Sequence, residues 1–206
     1  MKKINELFSV HNELMKDFFD KYLYPVDILP NIHSEILSLG TLLSKDDYEE
    51  VKKNVWVHKS CEIGDNVEIV GPAIIMDNTT LRHNAYIREN VIIGRNVTIG
   101  NSCEIKNSII MDDCQIPHFN YVGDSLLGNH VHLGAGVIIA NLRLDKKNVR
   151  VEKEETSLRK IGAFIGDDTE IGCNSVIYPG TVLEKNSVIY PLSQVSNRQK
   201  EAIKRL

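Results

Sequence analysis

The stretch VWVHKSCEIGDNVEIVGPAIIMDNTTLRHNAYIRENVIIGRNVTIGNSCEIK, residues 55–106, decides the fold. An aliphatic residue returns at every sixth position: Val57, Ile63, Ile69, Ile75, Leu81, Ile87, Ile93, Ile99 and Ile105. Four positions after each of the first eight stands a small or β-branched residue: Cys61, Val67, Ala73, Thr79, Ala85, Val91, Val97 and Cys103. Neither the 3.6 period of a helix nor the alternation of a simple strand holds a strict six. A triangular parallel β-helix does. Each rung is one short strand and a corner, and three six-residue rungs close one coil. The aliphatic side chain fills the prism and the small residue fits the tight corner. The pattern resumes at Ile165, Ile171, Ile177, Leu183, Ile189 and Val195.

Between these runs the register slips. The inward positions become Ile110, Ile116, Val122, Leu127, Leu133 and Ile139, so the steps from Ile105 and from Val122 are five residues long. From Ile139 to Ile165 a loop intervenes, over residues 141–161. Departures from a repeat are where a binding site is expected, because loops on one face of a solenoid often carry it. Residues 1–53 lie outside the repeat. Ile4, Leu7, Phe8, Leu14, Met15, Phe18, Phe19, Tyr22 and Leu23 recur at helical spacing. Residues 32–43 suggest a second helix, and Ser44-x-x-Asp47 reads as the capping box of a third. The expected organisation is a helical cap or oligomerisation arm over 1–53, a β-helix over 54–195 and a basic tail helix over 196–206.

The composition is that of an ordinary water-soluble chain: 206 residues, 42% hydrophobic, 25% charged, net charge -4. That balance argues against a nucleic-acid partner. No apolar run is long enough for a transmembrane helix, and no signal peptide is apparent, so a cytoplasmic location away from membranes is expected. Cys61, Cys103, Cys114 and Cys173 form no C-x-x-C pair and read as small buried hydrophobes.

Stacking the coils gathers chemistry. Ile87, Ile105, Val122 and Ile139 fall on one face. Arg88 and Lys106 then lie on successive coils, about 4.8 Å apart, with Glu104, Tyr86 and Tyr121 beside them. Stacked like charges repel, which suits an anionic ligand. The alternative is a solvated ladder in which Glu104 neutralises the pair. On the next face, His118 stands at a corner, one coil from Gly134-Ala135-Gly136. A histidine is the natural neutral-pH base, and the Ala135 backbone N–H is suited to a developing oxyanion. Glu104 or a backbone carbonyl is the candidate to orient the imidazole. His130-Val131-His132 raises a metal centre, but His83 and His118 are two coils apart, too far for one Zn²⁺, so no metal is expected. The loop over 142–160 carries seven Arg or Lys against four Asp or Glu, and Lys147 or Arg150 is placed to reach an anion.

The six-residue pattern resembles the hexapeptide-repeat family, whose coils are left-handed. The resemblance implies an all-β chain with a small α appendage: a left-handed parallel β-helix with N-terminal helices. Four motifs sharpen it: His83-Asn84-Ala85-Tyr86-Ile87-Arg88, Glu104-Ile105-Lys106-Asn107-Ser108, Pro117-His118-Phe119-Asn120-Tyr121-Val122-Gly123-Asp124-Ser125, and Leu133-Gly134-Ala135-Gly136 followed by Ala140-Asn141-Leu142-Arg143. Together they resemble the glucosamine-1-phosphate acetyltransferase half of the bifunctional acetyltransferase/N-acetylglucosamine-1-phosphate uridyltransferase family, in its archaeal-type sugar-1-phosphate nucleotidyltransferase branch.

What the resemblance implies is specific. His118 would be the general base for a sugar amine and Ala135 the backbone oxyanion donor. Arg88, Lys106, Tyr121, Asn141 and Lys147 would bind the sugar phosphate, acetyl-CoA would be the acyl donor, and the chain would form homotrimers with sites between subunits. Three departures stand out. A family asparagine is His132 here, on the substrate side. A family serine near the acetyl-CoA entrance is Asp167. The nucleotidyltransferase domain has no counterpart in this sequence. Two readings follow: an acetyl-CoA-dependent N-acetyltransferase for glucosamine- or galactosamine-1-phosphate, or a non-catalytic sugar-phosphate-binding or oligomerisation subunit of a separate nucleotidyltransferase. A γ-carbonic-anhydrase-like metal enzyme is the remoter third.

Overall fold

A computed structural model describes residues 1–197 and the backbone of residues 203–205. The repeat folds as a parallel β-helix whose strands stack into three sheets, here called A, B and C in the order the chain visits them. Sheet A contains Val55–His58, Ala73–Ile75, Val91–Ile93, Ser108–Ile110, Leu126–Leu127, Ala163–Ile165 and Thr181–Leu183. Sheet B runs from Glu62–Ile63 through Thr98–Asn101, Gln115–His118 and His132–Leu133 to Ser187–Ile189. Sheet C runs from Glu68–Ile69 through Tyr86–Ile87, Glu104–Lys106, Tyr121–Gly123 and Ile138–Ile139 to Gln194–Val195. The pairings follow the inward column: Ile69 faces Ile87 and Ile87 faces Ile105 at three full rungs, and Ile105 faces Val122 across the first shortened step.

The prism interior is the predicted aliphatic column. Ile75, Leu81, Ile87, Ile93, Ile99, Ile105, Ile116, Val122, Leu133 and Ile139 have no exposed surface, and Cys103 and Cys114 fill small inward slots. Burying each aliphatic side chain is worth about 1.5–3 kcal/mol. Ile63, on the terminal strand of sheet B, is instead 44% exposed because the stack ends there.

The corners follow a second rule. The third residue after the inward aliphatic adopts the left-handed conformation: Asn66, Asn78, Asn84, Asn90 and Asn96 have φ between 56° and 65°. Asparagine tolerates that region better than other side chains, which is why it punctuates this sequence every six or twelve residues. At the two five-residue steps the left-handed residue comes one position earlier, at Asn107 and Asp124.

The N-terminal segment differs from expectation in its details. Its first helical stretch is broken into α1 (Ile4–Leu7) and α2 (Glu13–Phe19), the latter capped by the Asn12 side chain on the Leu14 N–H. The second helix, α3, spans Ile32–Gly40. No third helix follows Ser44: a turn leads into the strand Tyr48–Lys52, which pairs antiparallel with Val55–His58 and extends sheet A. The boundary expected at residue 53 therefore falls inside a hairpin. The arm covers the outer side of sheet A, where Ile74, Ile92, Ile109, Leu126 and Phe164 pack with Leu7, Met15, Phe18, Phe19, Ile32 and Ile36. Gly40 lies against the Trp56 ring with no room for a Cβ. The expected tail helix lies partly outside the described residues, and Ile203–Arg205 is a strand antiparallel to Ser187–Ile189. A short strand suits it because sheet B offers an unpaired edge there.

Candidate functional site

Two corners border sheet C, and the candidate residues divide between them. Along the outer side of the sheet, Tyr86, Glu104, Tyr121 and Ile138 stack in register. The residues two positions further on form the next outward column, in which Lys106 pairs with Gly123.

At the corner from sheet C to sheet A, Arg88 Nη1 donates to Glu104 Oε1 at 3.0 Å, and its Nε lies 3.6 Å from Glu89 Oε2. That Nε is buried without a hydrogen-bond partner. Lys106 Nζ donates to Asp124 Oδ1 at 3.3 Å. Glu104 thus neutralises Arg88 alone, and Lys106 has its own carboxylate. Hydrogen-bond capacity is still left over. A guanidinium carries five donors and an ammonium three, so both cations retain N–H groups for an anionic oxygen.

Asp124 organises this corner. It is 4% exposed and takes Asn107 Nδ2 at 2.9 Å on Oδ1 and the Asn141 amide on Oδ2. Asn141 Nδ2 also donates to the Tyr121 hydroxyl at 3.1 Å. Gly123 is required between them, because a Cβ there would stand 2.5 Å from the Tyr121 oxygen. Burial, then the Asp124 and Glu104 carboxylates, push the Tyr121 hydroxyl above its ordinary range, so it keeps its proton at neutral pH. The inserted loop closes here as well: Ile161 N–H donates to Asn141 C=O and Gly162 N–H to Asp124 C=O.

At the corner from sheet B to sheet C, His118 ends the strand Gln115–His118 with an exposed ring. The ring forms no hydrogen bond among the described residues. Its backbone is fixed from both sides. His118 N–H donates to Asn120 Oδ1 at 3.1 Å, Asn120 Nδ2 donates to Gly134 C=O at 2.8 Å, and Gly136 N–H donates to His118 C=O at 3.0 Å. Ala135 therefore sits one coil from His118, and its N–H makes no backbone hydrogen bond among the described residues. Phe119 follows at φ 53°, 59% exposed. A bulky side chain in the left-handed region costs on the order of 1–3 kcal/mol, and such strain gathers at functional sites.

The structure thus brings Arg88, Glu104, Lys106, Tyr121 and Asn141 together at one edge of sheet C, and His118 and Ala135 at the other. Within the single chain several expected residues lie away from these two groups. Glu104 does not orient the His118 ring: it projects from the outer side of sheet C and its carboxylate is on Arg88. Lys147 is exposed, and its N–H is held by Asp145 Oδ1 at 3.2 Å, with no contact to the Arg88 cluster. Arg150 is paired with Glu155 across the hairpin of the inserted loop. His132 lies on the outer side of sheet B, with Nδ1 2.8 Å from Glu170 Oε2. Asp167 does not face an open groove. It is 3% exposed and accepts from Ser9 N–H at 2.8 Å, Asn129 N–H at 2.9 Å and Lys185 Nζ at 2.8 Å. It staples the N-terminal arm to the solenoid. Burial alone would raise its pKa, and these hydrogen bonds outweigh burial and hold the carboxyl below its ordinary range. Among the described residues no group of three or more His, Cys, Asp or Glu is arranged to hold a metal ion, and no helix is long and apolar enough to cross a membrane.

Asp124, Asn107, Asn120 and Phe119 were not singled out from the sequence as functional. The signal was present for Asp124 and Asn107, because they occupy the two shortened corners.

Comparison with known proteins supports the same region. Residues 69–163 match the family described as the GMPPB C-terminal domain, and residues 162–190 match the hexapeptide repeat of succinyl-transferase. The bifunctional sugar-1-phosphate nucleotidylyltransferase/acetyltransferase of Sulfurisphaera tokodaii is 44% identical over 88 residues, which is 41% of this chain and 22% of the relative. The bifunctional protein GlmU of Methanococcus maripaludis is 44% identical over 85 residues, 40% of this chain and 21% of the relative. The chain therefore spans about a fifth of the length of these curated relatives. Among solved structures, the UDP-N-acetylglucosamine acyltransferase LpxA of Bacteroides fragilis aligns at 19% identity and TM-score 0.43, over 68% of this chain and 57% of that one. The chain carries a hexapeptide-repeat domain homologous to part of the bifunctional sugar-1-phosphate nucleotidylyltransferase/acetyltransferases.

Proposed function

We propose that the chain is an acyltransferase that N-acetylates an amino-sugar 1-phosphate, of the glucosamine- or galactosamine-1-phosphate kind, with acetyl-CoA as donor. One observation carries the reading: an unpartnered imidazole and a free backbone N–H occupy one edge of sheet C, and a cluster of phosphate-type donors occupies the other. The strand between them, Tyr121–Gly123, is about 10 Å long, and Arg88 and Lys106 reach from long stems. A sugar phosphate laid across this face has its phosphate at Arg88 and Lys106, its ring over Tyr121 and Asn141, and its amine toward His118.

In this reading the sugar ammonium first loses one proton to solvent, and His118 accepts a second from the nitrogen as the neutral amine attacks the thioester. As the N–C bond forms, the Ala135 N–H donates to the carbonyl oxygen on which negative charge gathers. His118 then returns its proton to the departing sulfur as the C–S bond breaks. Acetyl-CoA, when bound, supplies the activated acetyl thioester. The His118 corner suits a thioester, because Gly134, Ala135 and Gly136 present nothing larger than a methyl group. A second and a third copy of the chain close this face in a homotrimer, while the arm packs on the outer side of sheet A.

The paired state of both cations favours a second reading, a non-catalytic sugar-phosphate-binding subunit. Release of free CoA thiol on mixing the chain with acetyl-CoA and either amino-sugar 1-phosphate separates the two. Phosphate binding without thiol release would establish the second.

A further inference from the structure

We infer that Asp124 is a positioning residue that sets the polarity of the substrate corner: its carboxylate turns the Asn141 amide so that the corner offers a ligand one hydroxyl donor and one carbonyl acceptor. The inference rests on the proposed reading of that corner and adds to it a residue and a selectivity.

The chemistry follows from what each group can do. A carboxylate has no hydrogen and only accepts. Asp124 is buried on the coil between Lys106 and Asn141, and receives Lys106 and Asn107 on Oδ1 and Asn141 on Oδ2. The Asn141 amide is thereby held with its NH₂ toward Asp124. Its two hydrogens go to Asp124 and to the Tyr121 oxygen. The Tyr121 oxygen accepts, so its own proton points away from Asn141, toward sheet C's open face. The Asn141 carbonyl oxygen, opposite its NH₂, has no hydrogen bond among the described residues. The corner presents a donor at Tyr121, an acceptor at Asn141 and the remaining N–H groups of Lys106. A ligand that matches has an anionic or neutral oxygen acceptor within one sugar-length of a hydroxyl or amine donor. A ligand lacking that donor leaves a polar acceptor unmatched and is rejected. Glycine at 123 and the shortened corner at 124 exist in this geometry to let the three groups meet.

The test is steady-state kinetics on Asp124→Asn, Tyr121→Phe and the double variant. A neutral amide at 124 no longer dictates which end of Asn141 faces it. Asp124→Asn should raise KM for the sugar phosphate by about tenfold or more while KM for acetyl-CoA stays unchanged. In the Tyr121→Phe background the same substitution should cost less than it does in the wild type, because one of the two groups whose direction Asp124 sets is already gone. Full additivity, or an unchanged KM in Asp124→Asn, overturns the inference. If Asp124→Asn does not fold, or if the wild type acetylates no amino-sugar phosphate, the side-chain amide of Asn141 in ¹⁵N-labelled wild type decides. Two protected amide protons, of which Tyr121→Phe unprotects one and leaves the other, support the inference. A freely exchanging amide sinks it. Failure of acetyl transfer with a protected amide condemns the proposed reaction and leaves the positioning role standing.

Discussion

The two corners of sheet C are built on opposite terms. At Asp124, the backbone corner is one residue short, the carboxylate takes three side-chain donors, and every cation already has a partner. At His118 the ring is exposed and unbonded, and the following Phe119 is held in a conformation that suits asparagine. Hydrogen bonds hold the polar groups of the first corner at fixed orientations and leave N–H capacity on its cations. The second keeps its backbone rigid through Asn120 and leaves its reactive atoms free. In the proposed reading the first corner binds with preorganised donors and the second moves a proton through an imidazole that is open to substrate.

The largest expected effect belongs to the open corner. His118→Ala should lower kcat by about 10²–10⁴-fold, with circular dichroism and Tm unchanged because the residue is exposed and its ring makes no hydrogen bond among the described residues. Loss of Tm in step with kcat would show a structural histidine and erase the contrast. Arg88→Ala acts on the first corner. It should weaken sugar-phosphate binding by about 1.5–3 kcal/mol and leave kcat near wild type, read by calorimetric titration. An unchanged affinity would mean that Glu104 holds Arg88 as a surface ladder.

A third corner, from sheet A to sheet B, provides a control outside the chemistry. The Asp167 carboxyl is held below its ordinary range by Lys185, Asn129 and Ser9 against the effect of burial. Its contribution to stability is therefore present above the ordinary carboxylate range and is lost as pH falls through the lowered folded value. Asp167→Asn should destabilise the chain by about 1–2 kcal/mol at neutral pH, and the difference should vanish in acid. Denaturant melts at both pH values measure it. A difference that persists in acid contradicts the staple. The smallest effect is expected at Phe119. Phe119→Asn should raise stability by about 1 kcal/mol by relieving the left-handed strain. An accompanying rise in KM for either substrate would give the exposed ring a binding role, and a loss of stability would show that the strain is absent.

The solenoid was legible because its signal is redundant. Each inward aliphatic predicts the next, and the short steps after Ile105 and Val122 announced where the regularity breaks. The stacking of Arg88, Lys106 and Tyr121 followed from the same register. What failed was local. Residues 44–47 carry a capping pattern but enter a hairpin, since pairing with Val55–His58 outweighs a short helix. The register leaves Glu104 or a backbone carbonyl as the candidate to orient His118, whereas the side-chain direction in a strand puts the Glu104 carboxylate on Arg88. Asp124 escaped because the repeat predicts backbone spacing and says nothing of which carboxylate a lysine will choose. The expectation for Asp167 misses its burial, because nothing in the six-residue pattern indicates that Ser9 folds back onto it.

The central claim is that sheet C carries an amino-sugar phosphate between a phosphate corner and a base corner. It is tested most directly by incubating the wild-type chain with acetyl-CoA and, in parallel, glucosamine-1-phosphate, galactosamine-1-phosphate and the two phosphate-free amino sugars, with products read by mass spectrometry. One acetyl group on the nitrogen of an amino-sugar 1-phosphate, little on its phosphate-free counterpart and none with His118→Ala is the predicted result. No acetylated product from either phosphate, in a preparation shown to bind phosphate, would contradict it.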